Sequence, residues 1–481
     1  MAEVLWALEA VATGCLLAHR FGRYPDLRPR WARILLMLGC GAAGGMGITS
    51  CLFFVCRLLF PSLPRMAMFL ETALAAWLIF DARRRRQKAQ AEAEPGSGAS
   101  LWNRALAVAL IAAVLTGTVG IASSWEANPQ GEWDAWAIWN LRARYLAAPG
   151  DLSQRAWSAG LTDTHPEYPL LLSGFIARCW VFAGSTTTTA PNAASYLFFL
   201  ALMALATGGV AAWRGESLGL LCGLVLAGTP YILFQVPWLY SDIALACYFA
   251  GALVMLLLDR PAAAGLFASL AVWTKDEGWL FLLVFFAAVA VLRRPRLRLA
   301  MACAAPVTVL ALYFKLVLAR GLPSLASQAS SGFLSKLVDV DRYAKVVSAC
   351  AAELGKMMLF GWYHPLWPLI VLAVGLRFSR ERRHDAFLAG SATAAMMAGY
   401  FFVYITTPFD LDWHLGSSLN RLVMQLWPCL VLTLFAVLRS PEGFTVEPRP
   451  EGSVAAGPEI APPPVPSKPT AGRGKPRRKR G

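Results

Sequence analysis

The chain has 481 residues, of which 57% are hydrophobic and 15% charged, with a formal net charge of +15 and a mean hydropathy of +0.51. Soluble proteins carry about 25% charged residues, so the composition excludes a water-soluble enzyme and predicts an all-α, polytopic transmembrane helical bundle. Nor does the positive charge point to nucleic acid. It is gathered in short runs between apolar segments, at 20–33, 83–88, 293–298 and 377–383, as in cytoplasmic loops under the positive-inside rule.

A bilayer span takes roughly 17–25 apolar residues, fewer where protein shelters a broken helix. Spans are predicted near 4–19, 34–56, 66–81, 105–124, 192–213, 218–236, 241–258, 262–273, 278–292, 298–318, 356–376, 386–405 and 422–438, about 13 in all. No basic region precedes the first, which therefore reads as a span rather than a cleaved signal. Residues 169–184 are also apolar, but a span there would send the runs at 293–298 and 377–383 to the outside. An interfacial or re-entrant helix is expected there instead.

Every dense basic run then falls inside. The outside receives residues 125–191, the turns at Tyr240-Ser241-Asp242 and Trp273-Thr274-Lys275-Asp276-Glu277-Gly278, and the loop 406–421. The expected regions are early spans with a basic cytoplasmic loop (1–104), a main membrane module (105–440) and a Pro-rich, basic, disordered cytoplasmic tail (441–481). The ten cysteines have no metal-ligand spacing and read as packing residues.

In the first outer loop Glu132, Trp133, Asp134, Trp136 and Trp139 stand together. Tryptophans at every third position form a helical stripe suited to the bilayer surface. Asp134 lies at its border, where it either solvates an interfacial helix or activates a hydroxyl. Further on, Pro166 and Pro169 fix an extended entry into an apolar helix. That segment suits a rigid anchor, and its His165, Glu167 and Tyr168 also suit a site. Asp242 reads as a helix cap or, at the head of a span, as a functional carboxylate. Lys275, Asp276 and Glu277 interrupt a long apolar run between Trp273 and Trp279, either as a charge-capped hairpin or around a phosphate-binding lysine.

Before the last span, Arg421 stands on the outer side against the positive-inside trend. It calls for an anionic partner, and its planar fork suits phosphate. Asp410 and Asp412 form an Asp-x-Asp pair of the kind that holds a divalent cation, Mg or Mn, although the sequence demands no cofactor.

In their order along the chain these motifs resemble the GT-C superfamily of polytopic glycosyltransferases, which use polyprenyl-phosphate-linked sugars. Protein O-mannosyltransferases and the bacterial aminoarabinose transferases of lipid A are members. The loop 125–191 with Asp134 is similar to the superfamily's first large external loop and its essential acid. Asp242 resembles a second acidic position, Thr274-Lys275-Asp276-Glu277-Gly278 a Thr-Lys-x-x-Gly element, and residues 414–421 a late external motif. The resemblance covers roughly 100–440. The chain departs from the pattern in having three spans before the one that leads into the catalytic loop, and in showing no large soluble C-terminal domain.

The resemblance implies a GT-C-like bundle with amphipathic interfacial helices in its external loop. It implies a transferase of the bacterial inner membrane whose active site faces outward. The implied donor is a polyprenyl-phosphate sugar amid membrane lipid, and the acceptor a glycan, lipid or protein. Asp134 would be the base, with Asp242 and Glu277 as orienting acids. Substrate binding would fall to Glu132, Trp136, His165, Glu167, Tyr168, Lys275, Asp276, His414 and Arg421, of which Lys275, His414 and Arg421 would hold the phosphate. The competing expectations are a transporter or lipid flippase, and an O-antigen ligase or polymerase.

Overall fold

The computed structural model describes residues 1–22, 24, 26–86, 100–324, 332–358, 366–377 and 383–441. Helices α1 (Ala2–Phe21), α2 (Arg30–Leu59), α3 (Met66–Arg86) and α4 (Leu101–Ala127) precede a loop that carries the short α5 (Asn140–Ala147). Then come α6 (Leu171–Ala183), α7 (Thr189–Arg214), α8 (Glu216–Ala227), α9 (Pro230–Trp238), α10 (Asp242–Leu257), α11 (Pro261–Thr274), α12 (Glu277–Leu292) and α13 (Leu297–Tyr313). The short α14 (Phe333–Val338) leads to α15 (Val340–Met358), α16 (Leu366–Val374), α17 (Arg383–Thr406) and α18 (Leu411–Val437). Met1–Glu442 form one compact unit, and no strand occurs among the described residues.

By length and composition, 7 of the described helices can cross a membrane: α1, α2, α4, α7, α13 extended to Arg294–Leu318, α17 and α18. The bent pair α8–α9 brings the number to 8. The chain is thus a multi-pass helical membrane protein, but these criteria do not reach the predicted 13. The predicted span 218–236 is two helices meeting at 58°. Pro230 opens the second of them, since proline fits the first helical turn and cannot continue a preceding helix. Helices α10, α11 and α12 have only 16, 14 and 16 residues. The predicted span 356–376 and the basic runs at 20–33, 83–88 and 377–383 lie partly outside the described residues, and the tail from 442 lies wholly outside them.

Small residues let the first two helices touch. A Cβ on Gly45 would meet Ala10 O at 2.1 Å, and one on Gly14 would meet Gly41 O at 2.0 Å. Apolar lipid gives helices little reason to associate, so such close backbone approach carries the packing. Gly45→Ala is expected to lower stability by about 1–3 kcal/mol, as overpacking does. Gly120→Ala, with nothing within 4 Å of its Cβ, should not lower it. Thermal melting in detergent reads both.

Ion pairs sort the helix ends. Arg20 pairs with Asp81 at 3.0 Å, Arg260 with Asp26 at 2.6 Å, Arg296 with Asp259 at 2.5 Å and Arg293 with Asp385 at 2.5 Å. Trp213 Nε1 also donates to Asp385, at 3.1 Å. These contacts bring the basic runs near 20–33 and 293–298 to one end of the bundle. At the other end Glu3, in the first turn of α1, accepts from Ser185 Oγ at 2.7 Å, Thr187 N at 3.0 Å and Ala190 N at 2.8 Å.

Helix α6 belongs to that second end. Its first carbonyl, Leu171 O, accepts from Ser50 Oγ at 2.7 Å, and the Phe182 ring near its last turn meets Trp6 at 5.3 Å and Phe53 at 6.3 Å. Because α1 and α2 run antiparallel, the chain leaves the bundle on the side where it entered. Its thirteen residues extend about 20 Å. Most of them are buried, so α6 packs inside the bundle rather than lying on its surface. Arg178 fastens it, donating to Glu71 Oε2 from Nε at 2.7 Å and to Glu9 from Nη2.

One amphipathic helix was not anticipated in the sequence. It is α15, tied to the second end by Lys345–Asp412 at 2.8 Å and by Arg342 Nε to Ile405 O at 3.0 Å. Val340, Val347 and Leu354 are exposed along it in steps of seven, an apolar stripe suited to the bilayer surface.

Candidate active site

The first outer loop is held by its turn. Gly131 has φ +74°, and a Cβ there would lie 2.6 Å from Trp238 O. The amide of Glu132 donates to that same carbonyl at 3.2 Å. The loop therefore docks on the end of α9, beside Tyr240-Ser241-Asp242. Ala135–Trp139 then forms a π-helical turn, whose wider winding breaks the expected three-residue stripe. Trp133 and Trp136 remain 50% and 51% exposed, whereas Trp139 is fully buried and stacks on Tyr168 at 5.9 Å.

Asp134, at the head of that turn, accepts from Arg421 Nη2 at 2.6 Å. Arg421 rises from the middle of α18 and donates from Nε to Asp242 Oδ2 at 2.9 Å, with the Tyr240 ring 4.4 Å beneath its guanidinium. Asp242 is fully buried. Its carboxylate does not cap α10. Oδ1 instead accepts from Lys275 Nζ at 3.1 Å and from Gln425 Nε2 at 2.5 Å. Gln425 in turn accepts from Tyr400 OH at 2.7 Å.

Lys275 reaches Glu277 at 2.9 Å as well. Burial pulls its ammonium down, but Asp242 and Glu277 outweigh that and hold its pKa above the ordinary lysine value. The hairpin it sits on needs Gly278, because a Cβ there would lie 2.1 Å from Ala271 O. Asp134, Asp242, Lys275, Glu277 and Arg421 thus meet in one ion-pair network. Three carboxylates face two cations.

A second group adjoins it. His165 Nδ1 and Glu167 Oε1 are 3.1 Å apart, and the His165 ring stacks on Tyr168 at 4.6 Å. Arg142, wholly buried, donates to Ala156 O at 2.8 Å, Pro166 O at 3.1 Å and Tyr168 O at 2.7 Å, which fixes the loop before α6. Burial lowers its pKa to about 9, against the raising influence of Glu167 and Asp276. Asp276 pairs with Lys315 at 2.6 Å and links this group to the Lys275 hairpin.

Other expected residues stand apart. Glu132 is exposed and accepts from Asn128 at 3.3 Å, and Trp136 points outward. His414 hydrogen-bonds with Thr407 at 2.8 Å and lies 4.8 Å from the Tyr404 ring, two turns before Arg421 on α18. Asp410 caps α18 by accepting from Trp413 N at 2.8 Å, and Asp412 is taken by Lys345. The Asp-x-Asp pair is therefore engaged elsewhere, and no group of three His, Cys, Asp or Glu is gathered as metal ligands among the described residues.

Gln425, Tyr400, Arg142 and Lys315 join these groups without having been marked by any motif of the sequence. Gln425 carried a signal, a polar residue four positions after Arg421 and hence on the same helical face. Comparison with protein-family models, with curated proteins and with solved structures finds no match to this chain.

Proposed function

We propose that this protein is a membrane glycosyltransferase that moves a sugar from a polyprenyl-phosphate donor to an acceptor outside the cytoplasm. The observation that carries the reading is the convergence of Asp134, Asp242, Lys275, Glu277 and Arg421, from distant segments, at the bundle end opposite the basic runs. The positive-inside rule puts that end outside, as in a bacterial inner membrane. About 13 crossings fit this arrangement, because the short α10, α11 and α12 each run from one set of end contacts to the other.

In this reading Asp134 accepts the proton of the acceptor hydroxyl while that oxygen attacks the anomeric carbon. The bond from that carbon to the phosphate oxygen breaks, and the phosphate leaves with the electron pair. Arg421 stabilises its charge, as a preorganised cation does for a developing anion. Asp242, saturated by its donors, orients Arg421 and Lys275. The phosphate is a good leaving group, so no second carboxylate is needed as a general acid, unlike in glycoside hydrolysis. The smaller group of His165, Glu167, Tyr168 and Asp276 would line the acceptor side.

Arg421→Ala should raise the KM for the lipid donor at least tenfold while changing the acceptor KM little. Equal changes in both would remove its phosphate role. Transfer of labelled sugar from polyprenyl-phosphate donors by the purified protein tests the reading itself. A flippase would move the lipid and leave the sugar on it, and an O-antigen ligase or polymerase would accept only glycan acceptors.

A further inference from the structure

The two carboxylates on Arg421 are held very unequally. Asp242 is wholly buried and also takes hydrogen bonds from Lys275 and Gln425. Asp134 keeps 17% side-chain exposure and a single side-chain contact, through Oδ2 to Nη2. Among the described residues its other oxygen accepts no side-chain hydrogen bond, and Nη1 of Arg421 donates none. The outer edge of the guanidinium is thus half used. A phosphate presents two oxygens to such an edge and binds it bidentately.

Charge and contacts agree on which partner leaves. Asp242 and Glu277 already balance Lys275 and Arg421, so Asp134 is the surplus anion. The backbone around it is docked, through Glu132 N on Trp238 O and the buried Ala135, so only the side chain has to move. One ion pair, Oδ2 to Arg421 Nη2, would have to break for the carboxylate to swing away.

We infer that the donor's phosphate replaces the Asp134 carboxylate on Arg421, and that this exchange releases Asp134 to receive the acceptor's proton. The inference rests on the glycosyltransferase reading above. It makes the base available only when the donor is seated, so donor binding precedes productive acceptor binding.

The test is equilibrium binding to the full-length protein in nanodiscs, with polyprenyl monophosphate, the neutral polyprenol and inorganic phosphate as probes. Asp134→Asn should bind polyprenyl monophosphate at least tenfold more tightly than wild type, because the competing charge is gone. Arg421→Gln should lose the preference for polyprenyl monophosphate over polyprenol. Phosphate-selective binding that is unchanged or weaker in Asp134→Asn overturns the exchange alone. Binding no better than polyprenol in wild type and Asp134→Asn overturns the glycosyltransferase reading and the exchange with it. Equal affinity for inorganic phosphate overturns the lipid class and keeps the exchange.

A second measurement needs no variant. Carbodiimide-driven amine coupling to Asp134, read by mass spectrometry, should run faster with polyprenyl monophosphate than with polyprenol. An equal or slower rate overturns the exchange.

Discussion

Asp134→Asn is expected to cut sugar transfer by about 10²–10⁴-fold, the range for losing a general base, with protein level and membrane insertion at wild-type values. The amide keeps the size and the hydrogen-bond geometry of the side chain, so the loop held by Gly131 should dock as before. Proton acceptance disappears, and with it the negative charge that Asp134 sets against Arg421. The same variant should hold the lipid phosphate more tightly, a split that a merely structural residue would not give. Transfer at the wild-type rate in Asp134→Asn would remove this residue from the chemistry.

The second large effect belongs to Asp242. Asp242→Ala leaves the Gln425 amide without its acceptor and takes one carboxylate from each of Arg421 and Lys275, all in a buried setting. Removing one partner of a buried charge network costs about 3–5 kcal/mol, so the variant should melt far below wild type in detergent. Tyr400→Phe removes one neutral hydrogen bond from the same network, worth about 1 kcal/mol, and should melt only slightly lower. A melting temperature for Asp242→Ala equal to that of Tyr400→Phe would mean that Asp242 is not the anchor of the network.

Much of the site was legible in residue order. Charges cost free energy near apolar helices, so Asp242, Lys275 and Arg421 stood out against their surroundings without any knowledge of the fold. Their pairing was not legible, since nothing local links residue 134 to residue 421. The tryptophan stripe failed for a different reason. The spacing assumed α-helical winding, and a π turn sent Trp139 inward against Tyr168. Helix α15 is not legible in the sequence because its charges, among them Asp341, Arg342 and Lys345, interrupt every continuous apolar run along it. The break between α8 and α9 was available in Pro230. The 58° bend was not, because proline marks where a helix stops and leaves its new direction to packing.

Glu3 is pinned to the segment that follows α6. The first turn of α1 therefore lies at the same end of the bundle as the ion-pair network, whereas Asp259 and its neighbours lie at the other. A reagent in solution at the network's end meets the part-exposed Asp134 but not Glu3, which is 1% exposed, and Arg296 is met only from the opposite end.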